Sequence, residues 1–337
     1  MENQKSSARI KSFWKNPGWV LLILFLAFFP ILFTSDYHRH MAIMILLFIT
    51  LAEAWNLIGG YAGQLSLGHA LFFGVGAYTS TLLYLKAGIS PWIGLLVGIV
   101  LSGMLSAIIG IASLRLKGPY FALVTLAFAE VLLIITHLWE GLTNGALGLS
   151  IPAVGNSLID FQFVEKRPYY FIILVMMVAV ILLSRRIESS RLGHYLIAIR
   201  EEDTAASCLG IDVFRCKLKA LMISACITSM AGSFYAQYMR FIHPSSVLGW
   251  EVSVQIIMIA IIGGSGTVPG PVLGGFILIP LSEISRATLG GGRFVGLHSM
   301  IYGLALIIVV MFLPGGVIKH FSRFSGVLKK KFMRKGA

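Results

Sequence analysis

Long apolar segments separated by short polar ones dominate this chain of 337 residues. A helix needs about 20 mostly apolar residues to cross the hydrocarbon core of a membrane. Segments close to that length or above it lie at 18–35, 41–58, 65–85, 87–114, 118–139, 168–184, 220–239, 252–282 and 294–318. The pattern therefore predicts an all-α integral membrane protein, built as a polytopic helical bundle.

One of these segments, 252–282, is too long for a single straight span. At about 1.5 Å per residue it would extend about 46 Å, well beyond a hydrocarbon core of about 30 Å. A Gly- and Pro-rich run at 263–271 also interrupts it, and such runs break helices. The segment is therefore two spans or a re-entrant hairpin. The whole chain is predicted to have about ten spans, or eight spans with re-entrant segments.

Charge is scarce and unevenly distributed. Asp, Glu, Lys and Arg make up 12% of the chain, against about 25% in soluble domains. Residues 185–219, hereafter the charged island, contain seven basic and five acidic side chains between apolar segments. With ten spans and a cytoplasmic N terminus, twenty of the 27 Lys and Arg face the cytoplasm, which satisfies the positive-inside rule. Both termini and the island are thus predicted to be cytoplasmic, and the net charge of +13 reflects topology rather than nucleic-acid binding.

This topology divides the chain into a cytoplasmic tail (1–17), a transmembrane domain (18–318) that includes the island, and a basic cytoplasmic tail (319–337). Cys208, Cys216 and Cys226 lack metal-ligand spacing and are predicted to be small apolar filler. The sequence has no Gly-x-x-x-x-Gly-Lys-Ser/Thr, His-Glu-x-x-His or Gly-x-Ser-x-Gly motif. We therefore predict that the chain is not an enzyme and binds neither a metal nor a cofactor.

Within the island, residues 201–210 predict a short helix. Three consecutive acids occupy its first turn, near the positive end of the helix dipole, and a glycine suits the position after its last turn. Two alanines and a leucine form a small apolar face that would fit a groove on a partner protein. The alternative is a solvated connector helix. The residues expected to contact a partner are Glu201, Glu202, Asp203, Ala205, Ala206, Leu209 and Gly210.

Two glycine-rich breaks, at 59–69 and 263–266, interrupt apolar segments in the two halves of the chain. Paired breaks of this kind point to discontinuous helices near the substrate pathway of a transporter. The alternative is close helix packing, for which small residues spaced four apart, such as Gly266, Gly270 and Gly274, are typical. Gln64 and Ser66 place polar groups next to membrane depth, which favours the pathway.

Four ionisable side chains lie within or at the edges of apolar segments: Glu53, His69, Glu130 and Glu283. Charge at membrane depth usually marks a pathway or a satisfied pair. We predict that His69 is a neutral hydrogen-bonding residue, that Glu130 near Thr125 lines a polar path, and that Glu283 pairs with Arg286. The candidates for the path or its hinges are Gly59, Gly60, Gly63, Gln64, Ser66, His69, Thr125, Glu130, Gly263, Gly264 and Gly266.

Four motifs occur in order between about residues 40 and 318. They are AWNLIGGYAGQLSLGH at 54–69 with GVGAYT at 74–79; LRLKGPYFA at 114–122 with TLAFAE at 125–130; AIRE at 198–201 with AA at 205–206, LGI at 209–211 and KLKA at 217–220; and GGSGT at 263–267 with GP at 270–271. Together they resemble the permease subunits of branched-chain amino acid ABC importers, in particular the LivM type.

The resemblance implies a role in the bacterial cytoplasmic (inner) membrane. A periplasmic or extracellular binding protein would deliver the amino acid, and this chain with a second, related permease would form the path. Two cytoplasmic ATP-binding subunits, which carry the ATP and Mg²⁺, would grip the helix at 201–210. The glycine-rich breaks would hinge or line the path.

Other functions fit the same sequence. A permease of the same family could serve a different solute, such as urea or short amides. A stand-alone ion-coupled carrier would use Glu53, Glu130 and Glu283 as ion sites and would transport without ATPase subunits. An ion-coupled carrier would have no role for the helix predicted at 201–210. A structural membrane scaffold is a more distant third possibility.

Overall fold

A computed structural model describes residues 25–30, 32–33, 35–116 and 118–289, with side chains as far as residue 285, together with residues 303 and 316–318. The predicted tails at 1–17 and 319–337 lie outside these ranges. So do most of the predicted spans at 18–35 and 294–318, and the side chain of Arg286, the predicted partner of Glu283.

Helices account for most of the described chain. In order they are α1 (Asp36–Asn56), a π-helical turn (Leu57–Tyr61), α2 (His69–Ala87), α3 (Pro91–Ser113), α4 (Pro119–Leu138), α5 (Glu140–Thr143), a 3₁₀ turn (Gly145–Leu147), α6 (Lys166–Glu188), α7 (Arg191–Glu201), α8 (Asp203–Cys208), α9 (Val213–Met239), α10 (Pro244–Leu248), α11 (Trp250–Gly263) and α12 (Pro269–Leu289). Two short strands, β1 (Leu149–Ser150) and β2 (Phe241–Ile242), pair antiparallel, with Leu149 opposite Ile242.

Several helices are long and apolar enough to cross a membrane. In the described ranges these are Asp36–Tyr61, Pro91–Ser113, Pro119–Leu138, Lys166–Glu188, Val213–Met239 and Pro244–Gly263, with Pro269–Ser285 a shorter apolar helix. The predicted helical membrane architecture is confirmed. The total of about ten spans and the cytoplasmic position of both termini stay predictions.

The helices on either side of the charged island reach further into it than predicted. The span predicted at 168–184 is part of α6, which ends at Glu188, and the span predicted at 220–239 is part of α9, which begins at Val213. Arg185 and Arg186 lie in the last turn of α6, where cations interact favourably with the helix dipole. The side chain of Asp212 caps α9 by accepting a hydrogen bond from the Arg215 amide at 3.0 Å. The charged side chains therefore stabilise the end of α6 and the start of α9, and both helices extend into the charged island.

Helix α9 packs inside the bundle against α1, α2 and α3. The backbones of α9 and α2 approach each other closely. A Cβ atom at Gly76 would lie 2.0 Å from the Ser229 carbonyl oxygen, and one at Gly232 would lie 2.0 Å from the Phe73 carbonyl oxygen. Small residues allow such close approach between membrane helices. Close packing of this kind fixes α9 relative to α1 and α2.

Candidate functional site

The first glycine-rich break is a real interruption of the helix. Helix α1 ends at Asn56, the chain makes the π-helical turn Leu57–Tyr61, and regular structure resumes only at His69. Single π-turns occur frequently at functional sites. Gly59 is required because a Cβ there would lie 2.3 Å from the Trp55 ring. The predicted break is confirmed, although the following helix begins at His69 rather than at residue 65.

The second break separates α11 from α12. Gly264 and Gly266 have φ angles of +126° and +78°, which glycine adopts without the penalty that a Cβ imposes. A Cβ at Gly263 would lie 1.8 Å from the carbonyl oxygen of Gly270. Segment 252–282 therefore consists of two helices that approach closely at their break, which confirms the predicted interruption. The packing role predicted for Gly270 and Gly274 applies as well, since a Cβ at Gly274 would lie 2.0 Å from the Ile259 carbonyl oxygen.

The two breaks contact each other. Asn56, which is fully buried, donates a hydrogen bond from Nδ2 to the Thr267 carbonyl oxygen at 3.0 Å and accepts one at Oδ1 from the Gly266 amide at 2.7 Å. A Cβ at Gly60 would lie 2.5 Å from the Gly266 nitrogen. Residues 56–66 and 263–267 thus form one unit, here called the glycine junction.

Neighbouring helices hold the segment after the π-turn in place. The Trp55 indole donates to the Ser66 carbonyl oxygen at 2.9 Å, and the Leu67 amide donates to Thr125 Oγ1 at 3.1 Å. The His69 ring lies 3.2 Å from Ser66 Oγ and 2.8 Å from Ser224 Oγ, one on each ring nitrogen. The prediction that His69 is a hydrogen-bonding residue is confirmed. Non-helical backbone at membrane depth requires internal partners of this kind.

The polar side chains predicted to line the path or its hinges differ in their surroundings. Ser66, His69 and Thr125 are buried and engaged in hydrogen bonds within the chain, so they support the break rather than face an open space. Gln64 is half-buried beside the π-turn. Glu130 is also half-buried, but five residues turn an α-helix by about 140°. Glu130 therefore does not share the face of Thr125 that meets the junction.

Glu53, one turn before the junction, is a buried carboxylate. It is 0% exposed. The described part of the chain shows no well-formed hydrogen bond to its carboxyl oxygens, although Ser184, Asn56 and Arg185 lie close enough to interact with it. The buried hydroxyl groups of Tyr61 and Ser184 likewise make no well-formed hydrogen bond there. In the ranges that the structure covers, no group of three or more His, Cys, Asp or Glu could hold a metal ion.

The charged island forms two helices rather than the one predicted at 201–210. Helix α7 ends at Glu201, Glu202 is extended with φ −162° and ψ 112°, and α8 runs from Asp203 to Cys208. Only Asp203 therefore lies in the first turn of α8. After α8, Gly210 adopts a φ of +79°. The Gly210 amide bonds to the Ser207 carbonyl oxygen, and the Ile211 amide bonds to that of Ala206, which is the Schellman arrangement predicted by a C-terminal glycine.

The apolar face predicted for this helix is divided between two environments. Ala206 is only 2% exposed and packs with Leu196, Ile199 and Ala220. Ala205 is exposed and Leu209 is 80% exposed. Ala206 therefore attaches α8 to the bundle. Residues of this chain already surround it, so it is not available to a partner protein. Ala205 and Leu209 remain on the outer surface.

A buried ion pair also attaches α8 to the bundle. Lys217 Nζ lies 2.6 Å from Asp203 Oδ2, and the two side chains are 4% and 29% exposed. Sequence reasoning missed Lys217 and Asn56. In both cases the available signal was a polar residue within or at the end of an apolar helix.

The Lys217–Asp203 pair predicts unequal effects for its two truncations. Asp203→Ala leaves a buried ammonium without its partner, and we expect a loss of about 3 kcal/mol of stability. Lys217→Met replaces the charge with an apolar chain and leaves a carboxylate that water can reach, so the loss should be about 1 kcal/mol. Thermal unfolding of the purified chain measures both. The matched control is Arg215→Ala, whose exposed pair with Asp212 should contribute less than about 1 kcal/mol. A larger loss for Lys217→Met than for Asp203→Ala would contradict this prediction.

Comparison with known proteins identifies the family. A family model described as "Branched-chain amino acid transport system / permease component" matches residues 39–311. The chain belongs to this permease family. The match contains both halves of the glycine junction and the whole charged island, so the features described above lie inside the family domain of the permease.

Individual relatives of this permease have consistent names. The high-affinity branched-chain amino acid transport system permease protein LivM of Salmonella typhimurium is 27% identical over 299 residues, which cover 82% of this chain and 69% of the relative. A probable LivM of Methanocaldococcus jannaschii is 24% identical over 300 residues, with coverage of 82% and 85%. LivH of Escherichia coli is 24% identical over 286 residues, with coverage of 80% and 90%. No solved structure matches this permease significantly.

Proposed function

We propose that this permease is the membrane-spanning subunit of an ATP-driven importer for branched-chain amino acids. It would form the translocation path with a second, related permease in the bacterial cytoplasmic (inner) membrane. Two cytoplasmic ATP-binding subunits would carry ATP and Mg²⁺, and a periplasmic or extracellular binding protein would deliver the substrate. The names of the LivM and LivH relatives support the substrate class.

The observation that carries this proposal is the construction of α8. It is a helix of only six residues, held at one side by Ala206 and the Lys217–Asp203 pair, with Ala205, Cys208 and Leu209 exposed on the other. A helix attached to a membrane bundle through one side while its other side is exposed is suited to docking. We propose that the ATP-binding subunit receives this exposed side together with Glu201, Glu202 and Gly210.

The glycine junction would act as the hinge of the transport cycle. Apart from Asn56 and Gly263, its backbone lies outside the α-helices, so it can change direction without breaking one. Ser66, His69 and Thr125 would hold one side of the hinge, and Gln64 would face the path beside it. Glu130, on another face of α4, would line the path only away from the hinge. Motion at α8 would then reach the membrane helices, and the direction of opening would alternate.

The native Cys208 provides a direct test of α8 docking. Cys208 is exposed, so the prediction that it is apolar filler is wrong for this residue. In a chain lacking Cys216 and Cys226 we expect it to crosslink to the co-expressed ATP-binding subunit. Adding ATP should change the crosslinking yield. The matched control carries Leu158→Cys with Cys208→Ser, because Leu158 is exposed in the distant loop that precedes α6. Equal yields from the two positions in an intact complex would exclude the docking role of α8.

Glu53 favours one second candidate function, the ion-coupled carrier. A fully buried acidic side chain within an apolar helix is the kind of group that binds a proton or cation at membrane depth. The two functions differ in what the purified chain does alone. A carrier would accumulate leucine in liposomes under an ion gradient, whereas the importer subunit requires the ATP-binding subunits. Uptake of urea instead of leucine by the full complex would identify the alternative solute.

A further inference from the structure

Arg200, in the last turn of α7, reaches the glycine junction. Its Nη1 atom donates a hydrogen bond to the Gly60 carbonyl oxygen at 2.8 Å, across 140 positions of sequence. Gly60 lies inside the π-helical turn, where the α-helical hydrogen-bond pattern of α1 is lost. The charged island is therefore bonded directly to the first break.

The same side chain lies against the second break. A Cβ at Gly266 would be 2.3 Å from Arg200 Nη1, and one at Gly63 would be 3.0 Å from Arg200 Cγ. The aliphatic stem of the arginine thus packs on the first break, and its guanidinium group lies between Gly60 and Gly266. Glycine at positions 63 and 266 leaves the space that the side chain occupies.

The charge of Arg200 is directed at backbone rather than at an acid. In the described part of the chain it makes no ion pair with a carboxylate, and its hydrogen bond to Gly60 is made with a carbonyl oxygen. Charged hydrogen bonds are stronger than neutral ones. Asn56 joins Gly266 and Thr267 to the end of α1, so the guanidinium group adds a third connection at the place where the two breaks meet.

Arg200 also lies close to α8 in sequence. Only Glu201 and the extended Glu202 separate it from Asp203, the first residue of α8. A displacement of α8 therefore moves the backbone of Arg200 unless the link at Glu202 absorbs it. We propose that Arg200 is a positioning residue that couples the docking helix α8 to both glycine breaks. This inference rests on the proposed importer function only for its role in the transport cycle, not for the contact itself.

The contact is tested first on the full chain alone, in lipid nanodiscs. Spin labels are attached through Leu65→Cys and Thr204→Cys, both at exposed positions, in a chain whose three native cysteines are replaced by alanine. We expect a narrow distribution of label distances in the parent, and a broader distribution when Arg200→Ala is added. Arg215→Ala, which removes an exposed arginine from the same island, should leave the distribution narrow. Identical distributions in the parent and Arg200→Ala would overturn the proposal.

Coupling is then measured in the complex with the ATP-binding subunits. Arg200→Ala should leave subunit co-purification and basal ATP hydrolysis intact and lower the amount of leucine imported per ATP by about tenfold, the factor expected for one charged hydrogen bond. Arg200→Lys keeps a donor for Gly60 but lacks the planar group against Gly266, so import per ATP should recover in part. Equal losses of import and ATP hydrolysis would mean a structural role only and would overturn the coupling. If the parent chain binds no ATP-binding subunit, the proposed function fails, and the distance measurement still decides whether Arg200 holds the breaks.

Discussion

Replacing Gly263 with alanine is expected to prevent stable folding of the permease. The new Cβ would lie 1.8 Å from the Gly270 carbonyl oxygen and 2.9 Å from the Gly274 nitrogen. Both are backbone atoms of α12, so no side-chain rotation can relieve the overlap and α11 must separate from α12. Overpacking usually costs about 1–3 kcal/mol when side chains can adjust, and we expect the upper end of that range or more here.

The measurement for Gly263→Ala is the yield of monodisperse protein after detergent extraction, with the thermal unfolding midpoint of what remains. Gly103→Ala is the matched control. A Cβ at Gly103, in the middle of α3, would meet only Cys226 Sγ at 3.4 Å, and alanine is the better helix former by about 1 kcal/mol. The control should therefore match or exceed the parent. An unfolding midpoint of Gly263→Ala equal to that of the parent would contradict the close approach of α11 and α12.

The second large effect is expected from Asn56→Ala. The substitution removes both hydrogen bonds between the end of α1 and the second break, leaving the Gly266 amide and the Thr267 carbonyl group without these partners. Gly266 and Thr267 are half-buried, so each group left unsatisfied should cost near the lower end of about 1–3 kcal/mol. Truncating the fully buried Asn56 side chain also leaves a cavity. We expect a total loss of about 3 kcal/mol and a second break that moves independently of the first.

Independent motion of the second break is measured by the rate at which a maleimide modifies a cysteine introduced by Ser265→Cys. The rate should rise at least about tenfold in the Asn56→Ala background, which corresponds to about 1.4 kcal/mol. Thr50→Ala is the control. Thr50 is also fully buried in α1, but among the described residues its hydroxyl donates to the Leu46 carbonyl oxygen of the same helix and makes no hydrogen bond to either break. Unchanged reactivity with Asn56→Ala would show that Asn56 does not hold the breaks together.

Glycine and proline made the two breaks predictable from sequence. The run from Gly263 to Pro271 cannot continue a helix of ordinary geometry, and the same holds for the cluster that begins at Gly59. The helices themselves were predictable from the hydrophobic segments, because each membrane span requires about 20 consecutive apolar residues. These features depend on residues that are neighbours in sequence.

The connections between distant residues were not predictable. Arg200 and Gly60 lie 140 positions apart, and Asn56 and Gly266 lie 210 apart. No local pattern encodes such contacts. The break between α7 and α8 at Glu202 was also not predicted, because it too depends on contacts between residues that are distant in sequence. The segment contains no Gly or Pro at that position, and the direction of α8 is set by Ala206 and by the Lys217–Asp203 pair.

Helix α9 connects α8, the proposed docking helix, to the strand pair at its other end. Its 27 residues make a rod about 40 Å long. One end follows the Schellman turn after α8, and the other runs into β2, which pairs with β1. Backbone contacts at Ser229 and Gly232 fix this rod to α2. A displacement of its first residues would therefore carry α2 with it, and the two helices would move as one body rather than slide past each other.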